Sequence, residues 1–106
     1  MARAVEVAVV QPVAGKTRAQ QIARLKEWKK HWLGLGADKV VIHEIAVGNI
    51  DGGWIFSVHH KSGAAYGAGW DDYLKNPKNF DSAVDKWMKA PMFNIVSFAL
   101  TFEADI

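Results

Sequence analysis

Apolar residues recur along this chain at two different spacings, and the switches between them mark its elements. Residues 4–10 are β-branched or apolar at nearly every step, broken by Glu6, and run into Gln11-Pro12, which predicts a first strand. Ile22, Leu25, Trp28, Trp32 and Leu35 then fall at spacings of three and four. They place one apolar stripe on a helix over about residues 18–33, opposite its lysines. Thr17 can cap that helix, and Gly34 and Gly36 end it. Residues 39–47 and 53–60 predict two strands joined by the turn-forming Gly48-Asn49-Ile50-Asp51-Gly52. After Ser62, Tyr66, Trp70, Tyr73 and Leu74 share one face of a helix over residues 63–74. Gly67 and Gly69 weaken that helix by about 1 kcal/mol each relative to alanine. Asn76-Pro77 breaks it, and Pro77 suits the first turn of a third helix with Phe80, Val84, Trp87 and Met88 inward. Pro91 ends that helix, and residues 92–102 read as a last strand.

If the middle strands pair with Gly48 opposite Gly53, Val41, His43, Ile45 and Val47 share a face with Trp54, Phe56, Val58 and His60. The other face carries Val40, Ile42, Glu44 and Ala46 beside Ile55, Ser57, His59 and Lys61. A slip of one residue would mix the two sets, so the pattern favours this register. An aromatic sheet face with two embedded imidazoles is where a small-molecule pocket is expected. The last strand divides into Phe93, Ile95, Ser97, Ala99, Thr101 and Asn94, Val96, Phe98, Leu100, Phe102, both apolar in the middle, which predicts burial on two sides.

The predicted order β-α-β-β-α(α)-β is the ferredoxin-like α+β arrangement, one domain over residues 1–106 with a four-stranded antiparallel sheet. One layer of helices covers one face of such a sheet. A second copy of the chain is expected on the other, giving a homodimer with sheets face to face and Phe98, Leu100 or Phe102 at the interface.

Composition narrows the function classes. Half the residues are hydrophobic and 23% are charged, so the chain is globular rather than disordered. Its five tryptophans require a roomy core, a partner or a ligand surface. With no cysteine there is no disulfide, thiolate zinc site or thiol nucleophile, which accords with a reducing cytoplasm. The first residues lack the apolar core of a signal peptide, and no run approaches the roughly 20 apolar residues that span a bilayer. The net charge of +2 does not imply nucleic acid. Lys16, Arg18, Arg24, Lys26, Lys29 and Lys30 read as the solvated face of the first helix.

In element order the whole chain resembles the dimeric α+β barrel superfamily, which gathers antibiotic-biosynthesis-monooxygenase-like, NIPSNAP-like, EthD-like and stress-responsive barrel proteins. The sharpest local likeness is Trp70-Asp71-Asp72-Tyr73-Leu74-Lys75-Asn76-Pro77 followed by Phe80, an aromatic helix, an Asn-Pro break and an amphipathic helix. The resemblance implies a pocket between sheet and helices. It also implies a small aromatic or polyketide-like substrate handled without a cofactor, in a monooxygenase-like or isomerase-like reaction, or else a non-catalytic ligand-binding or stress-associated dimer. The haem-degrading branch has an Asn on the first strand, a Trp on the third and a His on the following helix. Trp54 matches the Trp, but the first strand ends in Gln11 and residues 63–74 hold no histidine, so haem is not expected.

His43 is the expected general base, because a half-buried imidazole titrates near neutral pH and can take a proton from a phenol or enol. Trp54, Phe56, His60, Tyr66, Trp70 and Tyr73 are the expected substrate-binding residues. The plainer reading makes the histidines strand-end hydrogen-bonding groups and Trp54 and Phe56 core. No metal is expected, since Glu44 and His59 fall on the face opposite His43 and His60 and no HxH or HxxxH pair occurs. His31 sits in the last turn of the first helix, where a cation suits the dipole, and His59 is expected in solvent. RNA-recognition domains share this element order, and Gly53-Trp54-Ile55-Phe56 imitates their third strand. Val5, Val7 and Val9, however, offer no base-stacking partner, so no nucleic acid is expected.

Overall fold

The period-two runs pair as one antiparallel sheet in the order β2-β3-β1-β4. In chain order the elements are β1 (Ala4–Pro12), α1 (Arg18–Gly34), β2 (Lys39–Glu44), β3 (Trp54–His60), α2 (Gly63–Lys75), α3 (Pro77–Lys89) and β4 (Phe93–Phe102). The computed structural model describes residues 2–48, 52–104 and 106, and the side chains of all of these except 79–81. The predicted turn residues 49–51 and the inward placement of Phe80 lie outside that description. The architecture is α+β, a four-stranded antiparallel sheet with three helices, consistent with the ferredoxin-like arrangement.

Local chemistry sets the helix ends. Thr17 accepts from the Gln20 backbone N–H at 3.1 Å and donates its own N–H to the Gln20 side chain at 2.8 Å, a reciprocal capping box. Gly36, at φ +98°, takes the left-handed turn after α1, a conformation that a side chain would strain. Ser62 caps α2 by accepting from the Ala65 N–H at 3.1 Å. A Cβ on Gly63 would stand 3.2 Å from the Phe102 ring, so glycine lets the start of α2 approach β4.

The core lies between α1 and the sheet. Val10, Leu25, Val40, Trp54, Phe56 and Val58 are buried, with Ile22, Trp28, Trp32, Ile42 and Phe93 packed against them. Trp28 joins three elements by ring contacts, to Phe56 at 5.6 Å, Trp87 at 6.0 Å and Phe93 at 5.3 Å between centroids. Arg24 is no part of a solvated face. It is buried and donates to the Ala90 carbonyl at 2.9 Å, just past the end of α3.

Two registers differ from the expectation. β2 pairs with β3 as Val40–Val58, Ile42–Phe56 and Glu44–Trp54, a shift of three residues from the predicted pairing. An odd shift turns every β2 side chain to the other face. Val40 and Ile42 therefore enter the core beside Trp54, Phe56 and Val58, while exposed His43 lies with Ile55, Ser57 and His59 on the face away from the helices. The predicted register would have buried His43; the observed one keeps it in solvent. Glu44, at the strand end, is held by two hydrogen bonds from Arg18, at 2.9 and 3.1 Å.

The second correction is in β4. A bulge sets Val9 opposite Ser97 and Val10 opposite Ile95. The extra residue reverses the alternation, so Phe93, Ile95, Phe98, Leu100 and Phe102 all share the helical side with Ala8 and Val10. Asn94, Ser97, Ala99 and Thr101 take the other. The strand is apolar on one side rather than two. The helices still leave much of that side open, with Phe98 58% and Phe102 57% exposed.

Trp54 is sealed at 6% exposure, and its indole N–H donates to Gln21 Oε1 at 2.8 Å. Gln21 in turn donates to the Lys16 carbonyl at 3.1 Å, and the Arg18 guanidinium lies 5.8 Å from the Trp54 ring centroid. Trp54→Phe keeps a ring in the core but leaves the buried Gln21 oxygen unpaired. A loss of about 1–3 kcal/mol in urea unfolding is expected, and adding Gln21→Leu to that variant should restore part of it.

Candidate functional site

The sequence does not advertise its most chemically loaded pair. Glu6 is the one charged residue in the apolar run of β1, and alternation places it with Ala4, Ala8 and Val10 on the helical side. β1 pairs with β3 so that Ala4 faces His60 and Glu6 faces Val58. Glu6 and His60 are thus diagonal neighbours across the ladder, within reach of each other's longer side chains. His60 Nε2 stands 2.8 Å from Glu6 Oε2, with the side chains 10% and 9% exposed. With Glu6 as a carboxylate, which only accepts, Nε2–H is the donor of this contact and Nδ1 holds the free electron pair of a neutral ring. A buried carboxylate holding an imidazole in one tautomer, and ready to stabilise the imidazolium, is an arrangement suited to general-base chemistry.

Two cavities share Glu6 and Trp32 in their walls, and His60 lines the smaller of them. The smaller, about 30 Å³, is lined by His60, Leu35 and the α2 residues Tyr66, Gly69, Trp70 and Tyr73. The larger, about 230 Å³, runs between the sheet and the helices, walled by Trp28, Phe56, Val84 and Trp87. Ile95 and Phe98 of β4 line it too, on the same side of the strand as exposed Leu100 and Phe102. From His60 a series of edge-to-face contacts runs along α2: Tyr66 at 5.2 Å, then Trp70 at 6.4 Å, then Tyr73 at 5.6 Å. A wider surface depression of about 570 Å³ lies between α1 and α3, where Glu27 accepts from Trp87 at 3.1 Å and Lys86 at 3.3 Å. Those bonds hold the Glu27 carboxyl below its usual range.

The structure thus brings together four of the expected residues, His60, Tyr66, Trp70 and Tyr73, and adds Glu6. Phe56 lines the larger cavity, whereas Trp54 is core and His43 stands on the opposite face of the sheet. His43 and His60 are not neighbours. Glu6 could have been found as the lone charge on the helical-side parity of β1, but its partner is 54 residues away and only the strand pairing supplies it. Among the described residues no three His, Asp or Glu side chains gather as a set that could hold a metal ion.

His31 is another departure. It packs edge-on against Trp32 at 5.5 Å and Trp87 at 5.1 Å, and burial pushes its imidazole below the ordinary value, against the cationic role expected at the helix end. His59 is half-buried rather than in solvent, and its imidazole is lowered by burial and then by Lys39 and Arg3. A base lowered by folding binds its proton more readily in the unfolded chain, so stability is full above the unfolded value and falls as pH drops below it. Urea midpoints should therefore decline from about pH 7 to 5.5, starting near 6.5 where solvated imidazole protonates. His31→Gln should show a shallower decline than the wild type; an unchanged slope would assign the effect elsewhere.

Fold and cleft together define a small α+β protein with a ligand-sized apolar cavity and a buried carboxylate–imidazole pair. No family model matches the sequence, and no curated protein matches it.

Proposed function

We propose that this protein binds a small ring-bearing molecule in the cleft between sheet and helices, and that the Glu6–His60 pair removes a proton from it. The reaction is cofactor-free and isomerase-like, on a small aromatic or polyketide-like substrate. A C–H bond next to a carbonyl breaks, the proton passes to His60 Nδ1, and the electron pair remains on the substrate as an enolate. Where a C=C bond adjoins the deprotonated carbon, the charge spreads as a dienolate, and return of the proton at its far carbon completes the isomerisation. A monooxygenase-like outcome would share the first step and take dioxygen as co-substrate. The single observation that supports this reading is the buried Glu6–His60 contact at 2.8 Å, with Glu6 in the wall of the larger, otherwise apolar cavity and His60 in the wall of the smaller one that shares Glu6 with it. The likeness in element order to the dimeric α+β barrels points the same way.

The test is deuterium incorporation from D2O into 2-tetralone, a neutral enolisable two-ring ketone, followed by NMR. Exchange above buffer that is lost in His60→Gln supports the reading. Binding of the ketone without accelerated exchange would instead make the protein a non-catalytic ligand binder, the alternative class for this fold.

The same proposal includes a homodimer. Val5, Val7, Val9, Val41 and Ile55 form a half-exposed apolar stripe on the sheet face away from the helices, and a second copy packed face to face would cover it. Because of the bulge in β4, this interface uses the valines and not Phe98, Leu100 or Phe102. Sedimentation should give a dimer at micromolar concentration and a monomer for Val7→Lys; a wild-type monomer would end this part of the proposal. Among the described residues no helix is long and apolar enough to cross a membrane, and the cysteine-free composition accords with the cytoplasm as the place of action.

A further inference from the structure

We infer that the cleft excludes anions and takes ring compounds whose polar group is neutral or cationic, so that carboxylates and phosphates are not its ligands. This holds only if the cleft is the ligand site, as proposed above. Glu6 is the one acidic residue among the described residues lining the two cavities, and neither wall contains a lysine or arginine. Several cations are engaged elsewhere: Arg24 with the Ala90 carbonyl, Arg18 with Glu44, Arg3 with Asp38 and Lys86 with Glu27. At the start of α2, where a helix dipole could favour negative charge, Ser62 already occupies the Ala65 N–H.

With the carboxylate ionised, the Glu6–His60 pair is net neutral when the imidazole is protonated and net negative when it is not. The one positive group it can offer an anion is the Nδ1–H of an imidazolium that Glu6 already neutralises. An anion placed beside it would lose its hydration in an apolar cavity and meet a like charge at short range, where screening is weak. The ring faces of Trp28, Trp32, Tyr66 and Trp70 carry negative quadrupoles, which repel anions and attract cations. Size sets the other limit. A cavity of about 150 Å³ holds benzene, so about 230 Å³ suits one or two fused rings.

Calorimetric titration of the wild-type protein with three ligands of one skeleton tests the charge rule: 2-naphthol, 2-naphthylmethylamine and 2-naphthoate at pH 7.5. The alcohol and the ammonium should bind, and the carboxylate should bind at least about tenfold more weakly than the alcohol. Glu6→Gln, which keeps an acceptor for His60 Nε2–H, should narrow that gap by strengthening naphthoate. Naphthoate binding the wild type as tightly as naphthol would overturn the charge rule while leaving the ligand site standing. A gap that persists undiminished in a folded Glu6→Gln protein would also overturn it as assigned to Glu6. Failure of all three to bind would remove the ligand site itself, and the charge rule with it. The wild-type series needs no variant and so decides even if Glu6→Gln folds poorly.

Discussion

Trp28→Ala is expected to lower the unfolding free energy by about 4 kcal/mol, close to half of what a domain of this size commonly has. The side chain lies where α1, the sheet and α3 meet, with ring contacts to Phe56, Trp87 and Phe93 at 5.3–6.0 Å between centroids. Removing it deletes three ring pairs at once and joins its volume to the 230 Å³ cleft that it already lines, so the site cannot collapse to heal the loss. α3 should suffer most, because Trp28 is one of its main apolar supports. Trp28→Phe should recover more than half of the loss. It restores a ring, and it removes an indole N–H that is buried without a hydrogen-bond partner among the described residues. Urea denaturation read by far-UV circular dichroism checks both values. A loss under about 1 kcal/mol for Trp28→Ala would mean that α3 contributes little to the folded state.

The second large effect concerns Glu6, and it separates chemistry from stability. Glu6→Gln is expected to reduce 2-tetralone exchange by about 100-fold while changing stability by less than about 1 kcal/mol. Glutamine can still accept from His60 Nε2–H, so the diagonal contact across β1 and β3 survives. What it cannot do is balance the charge of the imidazolium once His60 has taken a proton. The loss should therefore fall on kcat, with KM for the neutral ketone unchanged. Glu6→Ala should add a stability loss of about 1–3 kcal/mol, because the buried imidazole N–H then has no acceptor. A purely structural pair would show a different pattern: Glu6→Gln would leave kcat untouched, and only the alanine variant would matter.

Much of the fold is legible in the sequence because its signals are local. The stripe Ile22, Leu25, Trp28, Trp32, Leu35 needs only its own spacing to declare a helix. Thr17, Ser62, Pro77 and Gly36 after α1 act within one turn of where they stand. The aromatic row of α2, Tyr66, Trp70 and Tyr73, is readable for the same reason, and it does wall a cavity. Element order then follows from these pieces, and with it the ferredoxin-like α+β arrangement.

Which residues meet across the sheet is a different matter, settled only when the strands pair. Strand faces alternate with a period of two, so one inserted residue or one odd shift in pairing exchanges them completely. β2 carries apolar residues on both faces, Val40 and Ile42 against Val41, so its own pattern does not decide between them. The three-residue shift between β2 and β3 carried His43 out of the site and brought Val40 and Ile42 into the core. The bulge opposite Val9 and Val10 turned Phe98, Leu100 and Phe102 towards the helices. The pairing of β1 with β3 joined Glu6 to His60 across 54 positions of sequence. Each of these is fixed by the sum of burial over the whole sheet, where a few kcal/mol separate registers that look alike within any single strand. The elements of this protein can therefore be read along the chain, whereas its site exists only in the folded molecule.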